Sequence, residues 1–240
     1  MAKTPGPIAS KLNEELTRYR GLRQHDEAQG EFREKLYRLQ KWQADRMKKT
    51  HEQLLDDEKY RDATLFFLED IYGGIDLSDL ANEAERAMNK ALKILPEKVM
   101  TTSAHALELN ALSAELDELL ALTLFYEMEK DDFSMEDYTQ AFRMSAAKTL
   151  RDRQTLLARE LAVGLDKYVR SRVIYATFKM VRRPAHKAGI GNLYNFMGKG
   201  FEVMRPMGSA SLVIHAILEK EEEAIERIYQ GEISPYGFVM

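Results

Sequence analysis

The sequence predicts an all-α protein: a single compact multi-helix bundle with a long N-terminal helix. Apolar residues recur at spacings of three and four through most of the chain, the repeat that keeps them on one side of a helix. Only 6 prolines and 13 glycines interrupt the 240 residues. Charged residues make up 31% of the chain, as expected for helices that each keep one solvated side. No stretch alternates polar and apolar residues as a half-buried strand would.

The elements follow in order. After the loop-like Thr4–Gly6 segment, a short, mainly polar helix is expected from about Ile8 to Arg23. A long one runs from near Asp26 to about Leu55, because Phe32, Leu36 and Leu39 share a face that Trp42, Met47 and Leu54 extend. It is placed to project from the bundle or to pair with another subunit. The next helix spans about Glu58 to Tyr72 and stops at Gly73–Gly74, since glycine takes the left-handed cap conformation without steric cost. Ser78 caps a helix reaching about Leu95. Pro96 opens another, where its missing amide hydrogen is no loss.

That helix, Pro96 to about Glu129, lines one side with Leu109, Leu112, Leu116, Leu119 and Leu120. Ser134 and Asp137 have the spacing of a capping box and open a helix from Met135 into the Arg151–Tyr168 region. Pro184 divides the following segment into two helices. Gly189, Gly191, Gly198, Gly200, Gly208 and the Arg205–Pro206 pair imply a looser run, with Gly198 and Gly200 serving a close helix contact or a bend. The last helix spans roughly Ser209 to Tyr229 and ends at Gly231. The chain thus divides into an N-terminal arm with a short helix (1–25), a bundle (26–231) and a tail (232–240).

Charge is distributed unevenly. Between Asp166 and Glu202 there is no acidic residue, while Lys167, Arg170, Arg172, Lys179, Arg182, Arg183, Lys187 and Lys199 give residues 167–201 a charge of +8. The whole chain is −4, so the other 205 residues sum to −12. Tyr168, Tyr175, Phe178, Tyr194, Phe196 and Phe201 are interleaved with the cations. A positive face on a negative body attracts anions. Arg170, Arg172, Lys179, Arg182, Arg183 and Lys187 are therefore the candidate anion- or partner-binding residues. Three uses are open: an anionic bilayer, as for a cationic amphipathic helix; nucleic-acid phosphates; or pairing with the protein's own carboxylates. The isoelectric point near 5.8 makes nucleic acid the weaker of the external partners.

Other classes are excluded or bounded. There is no cysteine, which removes disulfides, thiol nucleophiles and thiolate metal sites. The N-terminus has no apolar core like that of a signal peptide, and no stretch approaches the roughly 18–20 apolar residues of a spanning helix. A cytoplasmic location is expected, with attachment to a membrane surface left open. Gly189-Ile190-Gly191 lacks the third glycine and the preceding strand of a dinucleotide fingerprint. No cofactor is predicted.

Tyr60-Arg61-Asp62-Ala63, leading into Phe66-Phe67-Leu68-Glu69-Asp70-Ile71-Tyr72-Gly73, resembles the signature of an uncharacterised family of bacterial proteins. Members similarly carry a WQ-x-x-R helix, here Trp42-Gln43-Ala44-Asp45-Arg46, and a later stretch similar to Ala106 to Asp117. The resemblance extends through Arg182-Arg183-Pro184-Ala185 to Gly200-Phe201. It implies a helical fold and no particular chemistry.

Two constellations contain groups that do chemistry elsewhere. On the helix from Pro96, His105 falls about 20° from Leu112, with Glu108 and Glu115 about 40° and 60° to the other side, at the edge of the apolar stripe. Inward carboxylates and imidazoles build carboxylate-bridged metal sites, but those use Glu-x-x-His from two helices. Here His105-x-x-Glu108 is reversed and has no second copy, so no metal site is predicted. The favoured account pairs Glu108 and Glu115 with arginines of neighbouring helices, such as Arg61, Arg143 or Arg151. Glu69 and Asp70 lie near a helix C-terminus, where the dipole disfavours anions, so a basic neighbour, a cap or a ligand must compensate. Glu69, Asp70, Tyr72, His105, Glu108 and Glu115 form the candidate buried polar cluster.

The leading reading is a non-enzymatic regulatory or interaction protein whose basic aromatic face docks an anionic partner, either a protein or an anionic membrane surface. A homo-oligomer is compatible with it. The rival is a metal- or small-molecule-dependent helical enzyme, or a ligand-binding protein, with its site near Glu108, Glu115 and His105.

Overall fold

The computed structural model describes residues 10–11, 14–18, 21, 30–71, 80, 82–83 and 97–238. Among these residues every regular element is helical. The expected stop at Gly73–Gly74, the Ser78 cap and the Pro96 start lie outside them, as does Tyr72.

Helix α1, Gly30–Thr50, is followed by the short α2, Glu52–Asp56, after a turn at His51. The long N-terminal helix does not project. It buries Phe32, Leu36, Leu39 and Met47, and Gln40 and Gln43 both donate to the Asp117 carboxylate at 3.1 and 2.9 Å. Helix α3, Arg61–Leu65, widens into a π-helical turn at Phe66–Ile71 that buries Phe66, Phe67 and Leu68. Helix α4, Glu97–Leu122, ends in a second π-helical turn, Thr123–Glu127.

The helix expected from Met135 to Tyr168 is two helices. Helix α5, Met135–Met144, starts at the Ser134–Asp137 capping box. Ala146 then takes φ 49°, and α6 runs from Lys148 to Arg170. The chain breaks again at Ser171 and Val181, giving α7, Arg172–Met180, and α8, Arg182–Lys187. Pro184 is therefore not the divider. It sits in the first turn of α8, where no intrahelical donor is lost. The glycine-rich run is regular too: α9 spans Gly191–Met204 and ends in a 3-10 turn, Arg205–Met207. Gly200 faces the Phe66 ring so closely that a Cβ would lie 3.3 Å from it. Helix α10 spans Ala210–Tyr229.

Helix α6 is central. It runs antiparallel to α4, with Gln154 donating to Ser113 at 2.8 Å and Tyr168 meeting Thr102 at 3.0 Å. It is also antiparallel to α10, with Arg159 bridging Glu222 and Ser209 donating to Asp166 at 2.8 Å. One apolar core gathers Phe66, Leu112, Leu116, Leu157, Leu161, Phe201, Ile214 and Ile217. A second lies at the α1–α5 side, around Phe32, Leu39, Leu124, Phe142 and Ile228, and the C-terminal residues Tyr236 and Phe238 pack against it.

Candidate functional site: a basic corner

The end of α6 leads directly into the basic segment. Ser171 is extended and its hydroxyl accepts from the Ile174 amide at 3.2 Å, which starts α7 in a new direction. Ile174, Tyr175 and Phe178 turn inward onto the first core. Phe178 stacks on Tyr194 with ring centroids 4.2 Å apart and meets Phe201 at 4.9 Å, while Tyr175 meets Phe201 at 5.5 Å. Tyr194 also donates its hydroxyl to the Phe178 carbonyl at 3.1 Å. The aromatic residues of this segment thus hold α7 to α9 and do not form an outward docking surface. The cations of the segment remain outside.

Arg172, Lys179, Arg182, Arg183 and Lys187 are exposed, and among the described residues no carboxylate pairs with them. Lys179 lies 4.5 Å from the Tyr175 ring, a contact that leaves its charge uncompensated. Arg170 does have a partner, Asp166, at 3.4 Å. Burial raises the Asp166 carboxyl, but Ser209, Ser211 and Arg170 outweigh it and hold it below the ordinary aspartate value. Lys199, from the same basic run, pairs with Asp70 at 2.5 Å and leaves the corner. On the far half of the α6–α10 pair, a groove lined by Asp152, Glu219, Glu223 and Glu226 presents the opposite charge.

The proposed polar cluster does not assemble as one site, because each described member has its own partner. Glu69 meets Lys48 at 2.8 Å, Asp70 meets Lys199, and His105 meets Glu160 at 3.2 Å. Glu108 is held between Lys11 at 2.5 Å and Arg153 at 2.6 Å, and Glu115 bonds Arg18. Burial raises the Glu108 carboxyl, yet Lys11 and Arg153 more than reverse it. The bases are not those expected. Arg61 and Arg143 donate to the Leu55 and Ile228 carbonyls, and Arg151 lies 3.5 Å from the Phe142 ring. Among the described residues, no group of three histidine, aspartate or glutamate side chains could hold a metal ion.

A buried charge cluster escaped the sequence reading. Arg46, only 4% exposed in its side chain, donates to Glu221 at 2.6 Å, and His51 Nε2 lies 3.1 Å from the same carboxylate. Tyr236 places its ring 4.4 Å from the Arg46 guanidinium. Burial pushes the Glu221 carboxyl up, but Arg46 and His51 overcome this and hold it below the ordinary glutamate range. Arg46 ends the WQ-x-x-R motif, the one signal in the sequence that could have located it.

Residues 22–235 match a family described as a domain of unknown function, DUF8198. The chain belongs to this family. No curated protein and no solved structure matches it. Membership covers the bundle, the buried charge cluster and the basic corner alike. Any function must therefore be argued from the chemistry of these residues.

Proposed function

We propose that this member of DUF8198 is a non-enzymatic interaction protein that docks an anionic partner on the corner made by α7 and α8. The observation that carries this is the set of five exposed cations, Arg172, Lys179, Arg182, Arg183 and Lys187, with no carboxylate partner among the described residues. Two cations of the same basic run are by contrast paired, Lys199 with Asp70 and Arg170 with Asp166. An uncompensated cluster on a chain of net charge −4 sets up a field that steers an anionic surface to one orientation.

A heparin column tests the face directly. The wild-type protein should be retained at low salt and elute as salt screens the contact. Replacing Arg170, Arg172, Arg182 and Arg183 with Glu should abolish retention while the helical circular dichroism stays unchanged. Wild-type protein that flows through at low salt would sink the docking reading.

A further inference from the structure

Helix α7 has two apolar sides, and the core uses only one. Ile174, Tyr175 and Phe178 fill the inner side. On the outer side Val173, Ala176 and Met180 stand at i, i+3 and i+7, within about 60° of one another around the helix axis. Val173 is 75% exposed, Met180 80% and the adjoining Val181 42%. Arg172 and Lys179, themselves seven residues apart, run along one border of this stripe, and Arg182, Arg183 and Lys187 follow on α8. Large aliphatic side chains with that much surface in water, bordered on one side by unpaired cations, are what an interfacial helix presents to lipid.

We infer that the anionic partner is a lipid bilayer surface. Val173, Met180 and Val181 enter the boundary between headgroups and acyl chains, and the surrounding cations meet lipid phosphates and carboxylates. This rests on the docking reading and names its partner. Nucleic acid fits less well: single strands are held by stacking on outward rings, whereas Phe178 and Tyr194 are stacked on each other and Tyr175 packs at a tilt against Phe201. Aliphatic side chains gain nothing from a phosphate backbone but gain from leaving water. Long Arg and Lys stems let the charges reach the headgroups while the aliphatic groups sit deeper. Among the described residues no helix is long and apolar enough to cross a membrane, so the contact is with the surface.

Sedimentation of the full chain with vesicles tests this. It should pellet with phosphatidylcholine vesicles that contain phosphatidylserine and stay in solution with pure phosphatidylcholine. Each cation among Arg172, Arg182 and Arg183 replaced by Gln should weaken binding about fivefold. The double variant Val173→Ser, Met180→Ser alters exposed positions only, so the fold should persist. It should lose at least about tenfold in vesicle binding while wild-type heparin retention remains. Vesicle binding unchanged in that double variant overturns the inference. So does heparin retention with no vesicle binding, which assigns the corner to nucleic acid or an acidic protein and leaves docking intact. Loss of both in the wild-type protein overturns docking itself.

Discussion

Arg46 on α1 donates to Glu221 on α10 at 2.6 Å, in a site where their side chains are only 4% and 13% exposed. Along α1 the pair stands between Leu39 of one core and Met47 of the other; along α10 it stands between Leu218 and Ile228. It therefore bridges the two cores across 175 residues of sequence. Two charges taken from water cost several kcal/mol each, and only their attraction and additional hydrogen bonds recover it. Here His51 supplies one such bond to the carboxylate.

Removing one member should therefore be worse than removing both. Arg46→Met leaves the Glu221 carboxylate enclosed with His51 alone, and should cost about 3–5 kcal/mol in urea unfolding. The double variant Arg46→Met, Glu221→Leu should recover a large part of that loss. Additive effects of the two substitutions would show that the pair is not coupled.

The same carboxylate sets a direction for acid stability. Both Glu221 and Asp137 are held below their ordinary values, Asp137 going from 3.8 to about 2 because the Ser134 backbone amide, Lys130 and the Ser134 hydroxyl all favour its charged form. A depressed carboxyl contributes stability above its unfolded value and loses it as pH falls through the folded one. Thermal midpoints should thus be flat above about pH 5 and decline steadily below it. In the Asp137→Asn variant, the gap from wild type should close as pH drops from 3.8 toward about 2. A midpoint that rises on acidification would contradict both assignments.

The packing of α6 on α4 turns on a single missing methyl group. A Cβ on Gly164 would lie 2.8 Å from Thr102 Oγ1 and 2.9 Å from its methyl carbon. Alanine within a helix normally gains about 1 kcal/mol over glycine, while overpacking costs about 1–3 kcal/mol. Gly164→Ala should therefore be neutral to destabilising in chemical denaturation. In a Thr102→Ala background, where the obstructing atoms are gone, the same change should stabilise by up to about 1 kcal/mol. Gly164→Ala gaining as much in the wild-type background would show that the two helices are not in close contact there.

Local periodicity made the helices legible, because the spacing of Leu109, Leu112 and Leu116 reports a buried face whatever covers it. The break at Ser145–Ala147 was not legible. Those residues tolerate helix, and it is the return of α6 against α4 and α10 that forces Ala146 to φ 49°. The charge segregation was visible by counting. Its geometry was not, since Val173 and Met180 are as apolar as Ile174 and Phe178, and only the packed core decides which set faces water. Partner choice was equally hidden. That Glu108 would take Lys11 and Arg153 depends on contacts between residues far apart in sequence, which no local pattern encodes.

Tyr236 closes the Arg46 site from the C-terminal side. The residue as a whole is partly buried, and burial of its phenol pushes the hydroxyl well above the ordinary tyrosine value against the pull of Arg46. Its ring, 4.4 Å from the guanidinium, excludes water from one side of the ion pair. A desolvated contact of this kind is worth about 2 kcal/mol or more, beyond the ring's own burial. Tyr236→Ala should therefore cost about 3 kcal/mol. Tyr236→Phe, which keeps the ring face, should stay within about 1 kcal/mol of wild type. In the Arg46→Met background the alanine substitution should cost distinctly less, since the cation is gone. Urea unfolding of all four proteins forms a double-mutant cycle, and a coupling of zero would mean that the ring packs beside Arg46 without sensing its charge.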